Sequence, residues 1–153
     1  SYHAEKFAIG GIKCKFVQDN HAKSVKNTLR GLHFQVKYPQ AKLLRCLKGK
    51  VFDVAVDIRK DSSTYGKWVG EILSDENKYQ FFIPVGFAHG YYVMSETAEI
   101  AYKCSEIYHP EDEQGIRWDD PDIAIKWPGN SPILSEKDKI LPFLKNLHES
   151  AEA

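Results

Sequence analysis

Short segments with the composition of β-strands recur along the middle of the chain, and they constrain the fold more than any other feature. Segments of this kind lie at 42–47, 51–58, 68–73, 79–83, 90–94 and 99–104. Gly or Asp, Asn and Ser clusters separate them, and no stretch between them has helical length and periodicity. Closely spaced strands without intervening helices predict an antiparallel sandwich or barrel rather than a βαβ fold.

The two ends of the chain have different patterns. Residues 1–8 have the pattern of a short helix, and Trp127-Pro128-Gly129 marks the end of the strand region. A second short helix is predicted to begin after Ser135, whose hydroxyl is placed to cap it. The chain has 153 residues and no internal repeat or linker, so one domain over residues 1–153 is predicted.

Composition excludes several classes of function. The 21 Lys and Arg residues balance the 21 Asp and Glu residues, which argues against binding to nucleic acid or to an anionic membrane. No apolar run approaches the roughly 20 residues of a membrane-spanning helix. The sequence has no positively charged region followed by an apolar one of the secretory type, so we do not expect secretion. The three cysteines are far apart and form no CxxC pair, which indicates reduced thiols and a cytoplasmic protein.

A possible metal site follows from the spacing Pro-x-Gly-x-x-His between Pro84 and His89. This spacing resembles the second motif of the cupin superfamily, whose members are double-stranded β-helix jelly rolls and often bind a metal. A catalytic metal needs about three converging nitrogen or oxygen ligands, which metal-binding cupins take largely from a His-x-His pair. The corresponding segment here is His33-Phe34-Gln35, in which an amide replaces one imidazole. We therefore expect no metal and keep a metal-dependent cupin enzyme as an alternative.

Without a metal, a barrel lined by His, Lys, Tyr and Asp suits proton transfer beside a carbonyl. An imidazole, with a pKa of about 6.5, is a suitable base near neutral pH. A lysine ammonium can stabilise the enolate oxygen that develops when the proton leaves. Inversion also requires an acid on the opposite face, and a tyrosine can serve if the site lowers its pKa from about 10.

Seven segments, in order and with near-family spacing, make the chain resemble the dTDP-4-dehydrorhamnose 3,5-epimerases. They lie at 16–21, 29–35, 49–59, 83–90, 102–103, 115–121 and 134–138. The resemblance implies a mainly-β, cupin-type jelly-roll barrel with short terminal helices, acting as a homodimer without a cofactor. It also implies inversion of carbons 3 and 5 of dTDP-4-dehydro-6-deoxyglucose, which gives dTDP-4-dehydrorhamnose.

The resemblance further implies roles for individual residues. By position, His33 matches the general base, Asp138 the carboxylate that orients it, Lys42 the cation near the enolate oxygen, and Tyr102 the acid on the opposite face. Arg30 and the segment 18–20 match positions that bind the nucleoside diphosphate, and Tyr108 matches an aromatic residue that stacks on thymine. The implied substrate-binding residues are Arg30, Gln18, Asp19, Asn20, His89, Tyr108, Glu113 and Lys137.

Each residue also has a structural interpretation. Asp138 is the fourth residue of Ser-x-x-Asp, and spacing alone favours a capping-box carboxylate. Lys42 could be a solvated strand lysine, and Tyr102 a core aromatic residue. His33 could be a hydrogen-bonded structural histidine, and Arg30 could pair with a strand aspartate.

Two functional alternatives accompany the epimerase hypothesis. One is epimerisation at a single carbon of a related dTDP-4-keto sugar, because the chemistry is shared. The other is a sugar-nucleotide-binding module with little or no activity. Family members carry, before the position of Ser1, a segment with an arginine and a glutamate that contact the nucleotide. Without that segment we expect an exposed sheet edge and weaker binding.

Overall fold

The computed structural model describes residues 1–147, which form nine strands and two short α-helices. The elements are α1 (Ala4–Ile9), β1 (Gln18–Val25), β2 (Leu29–Gln35), β3 (Lys42–Lys48), β4 (Lys50–Asp57), β5 (Trp68–Ser74), β6 (Gln80–Ile83), β7 (Phe87–Val93), β8 (Thr97–Cys104), β9 (Glu113–Gly115) and α2 (Glu136–Lys139). None of the helices in this part of the chain has the length and apolarity needed to cross a membrane.

The strands form two antiparallel sheets. One sheet has four strands in the order β1-β8-β3-β6, and the other has five in the order β5-β4-β7-β2-β9. An apolar cluster that includes Leu44, Ile100, Val51 and Val93 joins strands of both sheets. The mainly-β architecture and the short helix near each end, both predicted from sequence, are confirmed.

Strand β4 shows why the sequence 51–58 is almost continuously apolar. Val51 and Ala55 belong to the cluster between the sheets, whereas Val54 and Val56 belong to a second cluster on the opposite face. Residues from the C-terminal third, among them Ile116, Ile123, Leu144 and Leu147, cover that second face. A strand buried on both faces needs apolar side chains in both alternating positions.

The C-terminal segment also brings α2 against β2. Ile133 exchanges backbone hydrogen bonds with Asn27 and Leu29 at the start of β2. The buried carboxylate of Asp120 accepts hydrogen bonds from the backbone N–H groups of Ile123 and Leu144, which holds the segment after α2 against the segment around Asp120. These contacts place α2 beside the middle of β2.

Strand β2 is irregular at the point where α2 lies beside it. The pairing of β2 with β7 changes register between Arg30 and His33. Gly31 lies in this bulge with φ of 118°, and a Cβ there would lie 2.6 Å from the Cα of Gly90 and from the carbonyl oxygen of His89. Only glycine fits this close approach without displacing the backbone of β7.

Candidate active site

A cavity of about 620 Å³ lies between the two sheets and is closed on one side by the segment that leads into α2. We call it the main cavity. Eleven of the twelve site residues predicted from sequence line it: Gln18, Asn20, Arg30, His33, Lys42, His89, Tyr102, Tyr108, Glu113, Lys137 and Asp138. The twelfth, Asp19, lies elsewhere.

His33 and Asp138 form a close pair in this cavity. His33 Nε2 lies 2.6 Å from Asp138 Oδ1, and His33 Nδ1 lies 3.8 Å from Glu113 Oε1. The Asp138 side chain is only 3% exposed, whereas that of His33 is 25% exposed. Burial would raise the pKa of Asp138, but hydrogen bonds from His33 and the Gly31 N–H outweigh it and hold that pKa below its ordinary value. Asp138 is therefore a buried carboxylate held ionised beside an accessible imidazole.

The structure separates the two interpretations of Asp138. Ser135 caps α2 by accepting a hydrogen bond from the Asp138 N–H, at 3.1 Å. The Asp138 carboxylate, however, accepts hydrogen bonds from His33 and from the Gly31 N–H, at 3.2 Å for the latter. The capping-box interpretation that spacing favoured is therefore wrong for this carboxylate, because the bulge in β2 brings both donors to it.

Lys42 begins β3 and extends into the main cavity. Its Nζ lies 5.9 Å from the centre of the Tyr102 ring, and within residues 1–147 no carboxylate lies within ion-pair distance of it. Burial lowers the pKa of Lys42, and the negative charges of Asp53 and Glu113 partly oppose this. The alternative of a solvated strand lysine does not describe Lys42, since its half-buried side chain lines the cavity, where the ammonium can meet a ligand oxygen.

Tyr102 lies on β8, across the cavity from the His33 strand. Its ring centre is 6.4 Å from that of His89, and the side chain also packs against the core between the sheets. Burial raises the pKa of Tyr102 to about 12. A lowered pKa was the condition set for a tyrosine to act as the acid, and in this structure the shift has the opposite direction, so the hydroxyl is protonated at neutral pH.

His89 is paired with a residue that the sequence analysis did not single out. Its Nε2 lies 2.9 Å from Oδ1 of Asp53, which is fully buried in β4. Burial lowers the pKa of His89, and the charge and hydrogen bond of Asp53 oppose this. A carboxylate in an otherwise apolar strand is the signal that could have identified Asp53, because a buried charge requires a partner.

A group of polar side chains forms one rim of the main cavity. Lys137 donates a hydrogen bond to the Glu113 carboxylate and raises its own pKa in doing so. Burial would raise the pKa of Glu113, but the hydrogen bond from Lys137 and the charge of His33 hold it below its ordinary value. Burial and the neighbouring Glu113 raise the pKa of the Tyr108 hydroxyl. The rim therefore carries ionised Glu113 and Lys137 beside a neutral phenol.

Successive side chains of β1 point to opposite faces of the sheet, which separates the three residues at 18–20. Gln18 and Asn20 point into the main cavity, where Gln18 accepts a hydrogen bond from the Tyr108 N–H at 2.8 Å. Asp19 points to the outer face and receives a hydrogen bond from Lys103, with 75% of its side chain exposed. The structure thus does not bring Asp19 to the site. Arg30 is exposed at the cavity wall and forms no ion pair within the described part of the chain.

A second, more apolar cavity of about 420 Å³ shares His33, Lys42 and His89 with the main cavity. Gln35, which occupies the position of the second cupin imidazole, also lines it. No group of three or more His, Cys, Asp or Glu side chains in residues 1–147 is arranged to hold a metal ion. The Gln35 amide is occupied by backbone hydrogen bonds instead.

Comparison with known proteins places this arrangement in a family. A family model described as dTDP-4-dehydrorhamnose 3,5-epimerase matches residues 1–146. The chain belongs to the dTDP-4-dehydrorhamnose 3,5-epimerase family. An enzyme of that name from Methanothermobacter thermautotrophicus is 55% identical over 136 residues, which cover 87% of this chain and 74% of the relative. The family resemblance recognised from the seven sequence segments is confirmed.

Structural comparison agrees. The crystal structure of a dTDP-6-deoxy-D-glucose-3,5-epimerase from Legionella pneumophila, in complex with dTDP-4-keto-L-rhamnose, superposes with a TM-score of 0.94 at 51% identity. The match covers 98% of this chain and 81% of that one. A dTDP-4-dehydrorhamnose 3-epimerase from Streptomyces niveus is 39% identical over 140 residues, covering 90% of this chain and 68% of the relative. The predicted cupin-type jelly roll is confirmed by these relationships.

Proposed function

We propose that this chain is a nucleotide-sugar epimerase that converts dTDP-4-dehydro-6-deoxyglucose to dTDP-4-dehydrorhamnose by inverting carbons 3 and 5. The observation that carries this proposal is the 2.6 Å contact between His33 and the buried Asp138, at the wall of a cavity that also contains the Lys42 ammonium. Family membership and the sugar ligand of the Legionella enzyme support the substrate class.

His33 is the base in this proposal. Its hydrogen bond to the ionised Asp138 assigns the ring proton to Nε2, which leaves the lone pair on Nδ1. Nδ1 removes the proton from the carbon next to the 4-ketone, and the C–H electrons move to the ketone oxygen. The imidazolium that forms is stabilised by Asp138 and, at 3.8 Å, by Glu113.

Lys42 and Tyr102 complete the proton transfer. The enolate oxygen develops negative charge, and the enclosed Lys42 ammonium donates a hydrogen bond to it in a region of low dielectric. The Tyr102 hydroxyl then gives its proton to the carbon from the face opposite His33, and the ketone re-forms. Because an enolate carbon is a strong base, the phenol can protonate it without the lowered pKa that was first required of a tyrosine acid. His33 then releases its proton to solvent and Tyr102 takes one up, and the same sequence at the second carbon completes the reaction.

The nucleotide is bound at the rim of the main cavity. The net charge of the chain is zero, so the diphosphate must be held by local cations, for which Arg30 and Lys137 are placed. Tyr108 is 43% exposed at the same rim and can stack on the thymine. Gln18, Asn20 and His89 supply further polar groups in the cavity.

The proposal includes four further properties of the protein. We expect residues 1–153 to act as one domain, without a metal or other cofactor and in the cytoplasm. The free thiols of Cys14, Cys46 and Cys104 support a reducing compartment. We also propose a homodimer, because among residues 1–147 β1 is the last strand of its sheet, and the backbone N–H and C=O groups of an edge strand can pair with a second copy of the chain. Light scattering of the purified chain tests the dimer.

A coupled assay tests the proposed activity. The chain is incubated with dTDP-4-keto-6-deoxyglucose, a dehydrorhamnose reductase and NADPH, and oxidation of NADPH is followed by absorbance. We expect NADPH oxidation that depends on the chain and yields dTDP-rhamnose. A reduced sugar inverted at carbon 3 alone would identify a mono-epimerase, the chemistry named for the Streptomyces niveus relative. Tight dTDP binding without turnover would identify a non-catalytic sugar-nucleotide-binding protein.

A further inference from the structure

The side chain of Gln35 connects two loops at the mouth of the site. Gln35 is the last residue of β2 and is 6% exposed. Its Nε2 donates hydrogen bonds to the carbonyl oxygens of Tyr38, at 2.7 Å, and Ile107, at 3.2 Å. Its Oε1 accepts a hydrogen bond from the His109 N–H, at 2.7 Å. One buried amide thus bridges the loop after β2 and the loop after β8.

These hydrogen bonds surround Tyr108. Gln35 binds the residues on either side of it, Ile107 and His109, while Gln18 accepts a hydrogen bond from the Tyr108 N–H itself. Three consecutive residues are therefore held through their backbones by two side-chain amides. Tyr108 projects from this segment into the main cavity, with much of its ring exposed.

We propose that Gln35 is a positioning residue for the nucleotide, acting through Tyr108. This inference rests on the proposed function, in which Tyr108 stacks on the thymine of the substrate. An exposed aromatic ring that is already fixed loses less conformational entropy when a base stacks on it, so a rigid segment binds more tightly. Gln35 supplies that rigidity from beneath the loop, without touching the base.

The chemistry of an amide explains why a glutamine suits this position. Two carbonyl oxygens and one N–H group face the Gln35 side chain, which requires two donor hydrogens and one acceptor. A glutamate offers only acceptors and would place its charge against the two carbonyls.

A double-mutant cycle tests the proposal. The Kd of dTDP is measured by calorimetry for the full chain and for the Gln35→Met, Tyr108→Ala and double variants. Methionine has a similar length, removes all three hydrogen bonds and adds no charge that would repel the diphosphate. We expect Gln35→Met to weaken dTDP binding about fivefold or more, and Tyr108→Ala about tenfold, since stacking on one base accounts for a change of that size. In the Tyr108→Ala background, Gln35→Met should weaken binding by no more than about twofold.

Kinetics separate positioning from a general structural effect. Gln35→Met should raise KM for the dTDP-sugar while kcat at saturation stays within about threefold, because His33 and Lys42 are not displaced. Ser105→Ala is the matched control. It removes a hydrogen bond from the Ala41 N–H that joins the same two loops away from Tyr108. The control should lower the Tm and leave the Kd of dTDP within about twofold.

The outcomes are distinct. Equal weakening by Gln35→Met with and without Tyr108 would overturn the role of Gln35, as would a fall in kcat with no change in KM. If Gln35→Met does not fold, the uncharged Gln35→Asn, whose amide is one methylene too short to reach the same three partners, is carried through the same cycle, and the same absence of coupling overturns the inference. Failure of the unmodified chain to bind dTDP would instead remove the proposed function, so the two failures can be told apart.

Discussion

Replacing Asp138 by asparagine removes one charge from the His33 pair without changing its size. In the present structure the two carboxylate oxygens accept from His33 Nε2, at 2.6 Å, and from the Gly31 N–H, at 3.2 Å. An asparagine has one acceptor oxygen. If that oxygen keeps the Gly31 contact, its NH₂ group faces His33 Nε2, which must then be unprotonated. The ring proton moves to Nδ1, and the base presents an N–H to the substrate instead of a lone pair.

The expected loss of kcat follows from the hydrogen bond between His33 and Asp138. A hydrogen bond that involves a charged group contributes about 1.5–3 kcal/mol, so its loss in the transition state should lower kcat about 10- to 150-fold. The coupled reductase assay measures kcat, and urea unfolding measures stability. Asp120→Asn is the matched control, because Asp120 is also a buried carboxylate bound by backbone N–H groups but lies outside both cavities. It should lose stability and keep its kcat.

Two results would contradict a catalytic role for Asp138. If Asp138→Asn folds as the unmodified chain does and turns over within about threefold of it, Asp138 does not stabilise the catalytic imidazolium. If Asp120→Asn loses the same activity as Asp138→Asn, the effect comes from lost stability and not from the pairing with His33.

Three further predictions concern other parts of the molecule. Lys42 must be charged to stabilise the enolate, and its pKa lies below the ordinary value for lysine. Activity should therefore fall as the pH rises through that lowered pKa. Because arginine stays charged, Lys42→Arg should move this fall to higher pH in a pH–rate profile. Tyr102→Phe should slow formation of the inverted product more than it slows exchange of the abstracted proton with deuterated water, and equal losses of both would exclude Tyr102 as the acid. Hydrogen bonding from Arg59 lowers the pKa of Asp57, so this carboxylate stabilises the fold above its unfolded pKa of about 3.9 and loses that effect as the pH falls through the lower folded value. Asp57→Asn should therefore lower the unfolding free energy by roughly 1–3 kcal/mol at pH 7 and by less near pH 3, and a pH-independent cost would contradict the assignment.

Some features of the fold could be predicted from local sequence, and others depend on contacts between distant segments. The runs at 42–47 and 51–58 predict β3 and β4 to within a residue or two, because most of β4 is buried and β3 carries the buried residues Leu43, Leu44 and Cys46. Strand β1 was not recognised. Its residues alternate between the half-buried inner face and the exposed outer face, and polar side chains occupy both, so the segment has no apolar period.

The site residues also divide into those that could be predicted from sequence and those whose role depends on contacts between distant segments. Eleven predicted residues line one cavity because the family resemblance carries long-range information that no local pattern contains. The local pattern around Asp138 favoured a helix cap, since spacing cannot reveal that a bulge more than a hundred positions earlier brings His33 and Gly31 to it. Asp19 was included with its neighbours although strand alternation turns it outward. From sequence, Gln35 was only an amide in place of a metal-binding imidazole, because its contacts with the two loops depend on segments far apart in the chain.

Proton NMR of the chain with dTDP-4-keto-6-deoxyglucose in deuterated water, in parallel with the His33→Ala variant, shows whether His33 removes the protons at carbons 3 and 5. With the unmodified chain we expect the proton signals at carbons 3 and 5 to disappear as deuterium enters both positions. With the folded variant we expect no exchange above the uncatalysed rate. Exchange by His33→Ala at a near-normal rate, or no exchange by the unmodified chain, would contradict the claim that His33 removes these protons.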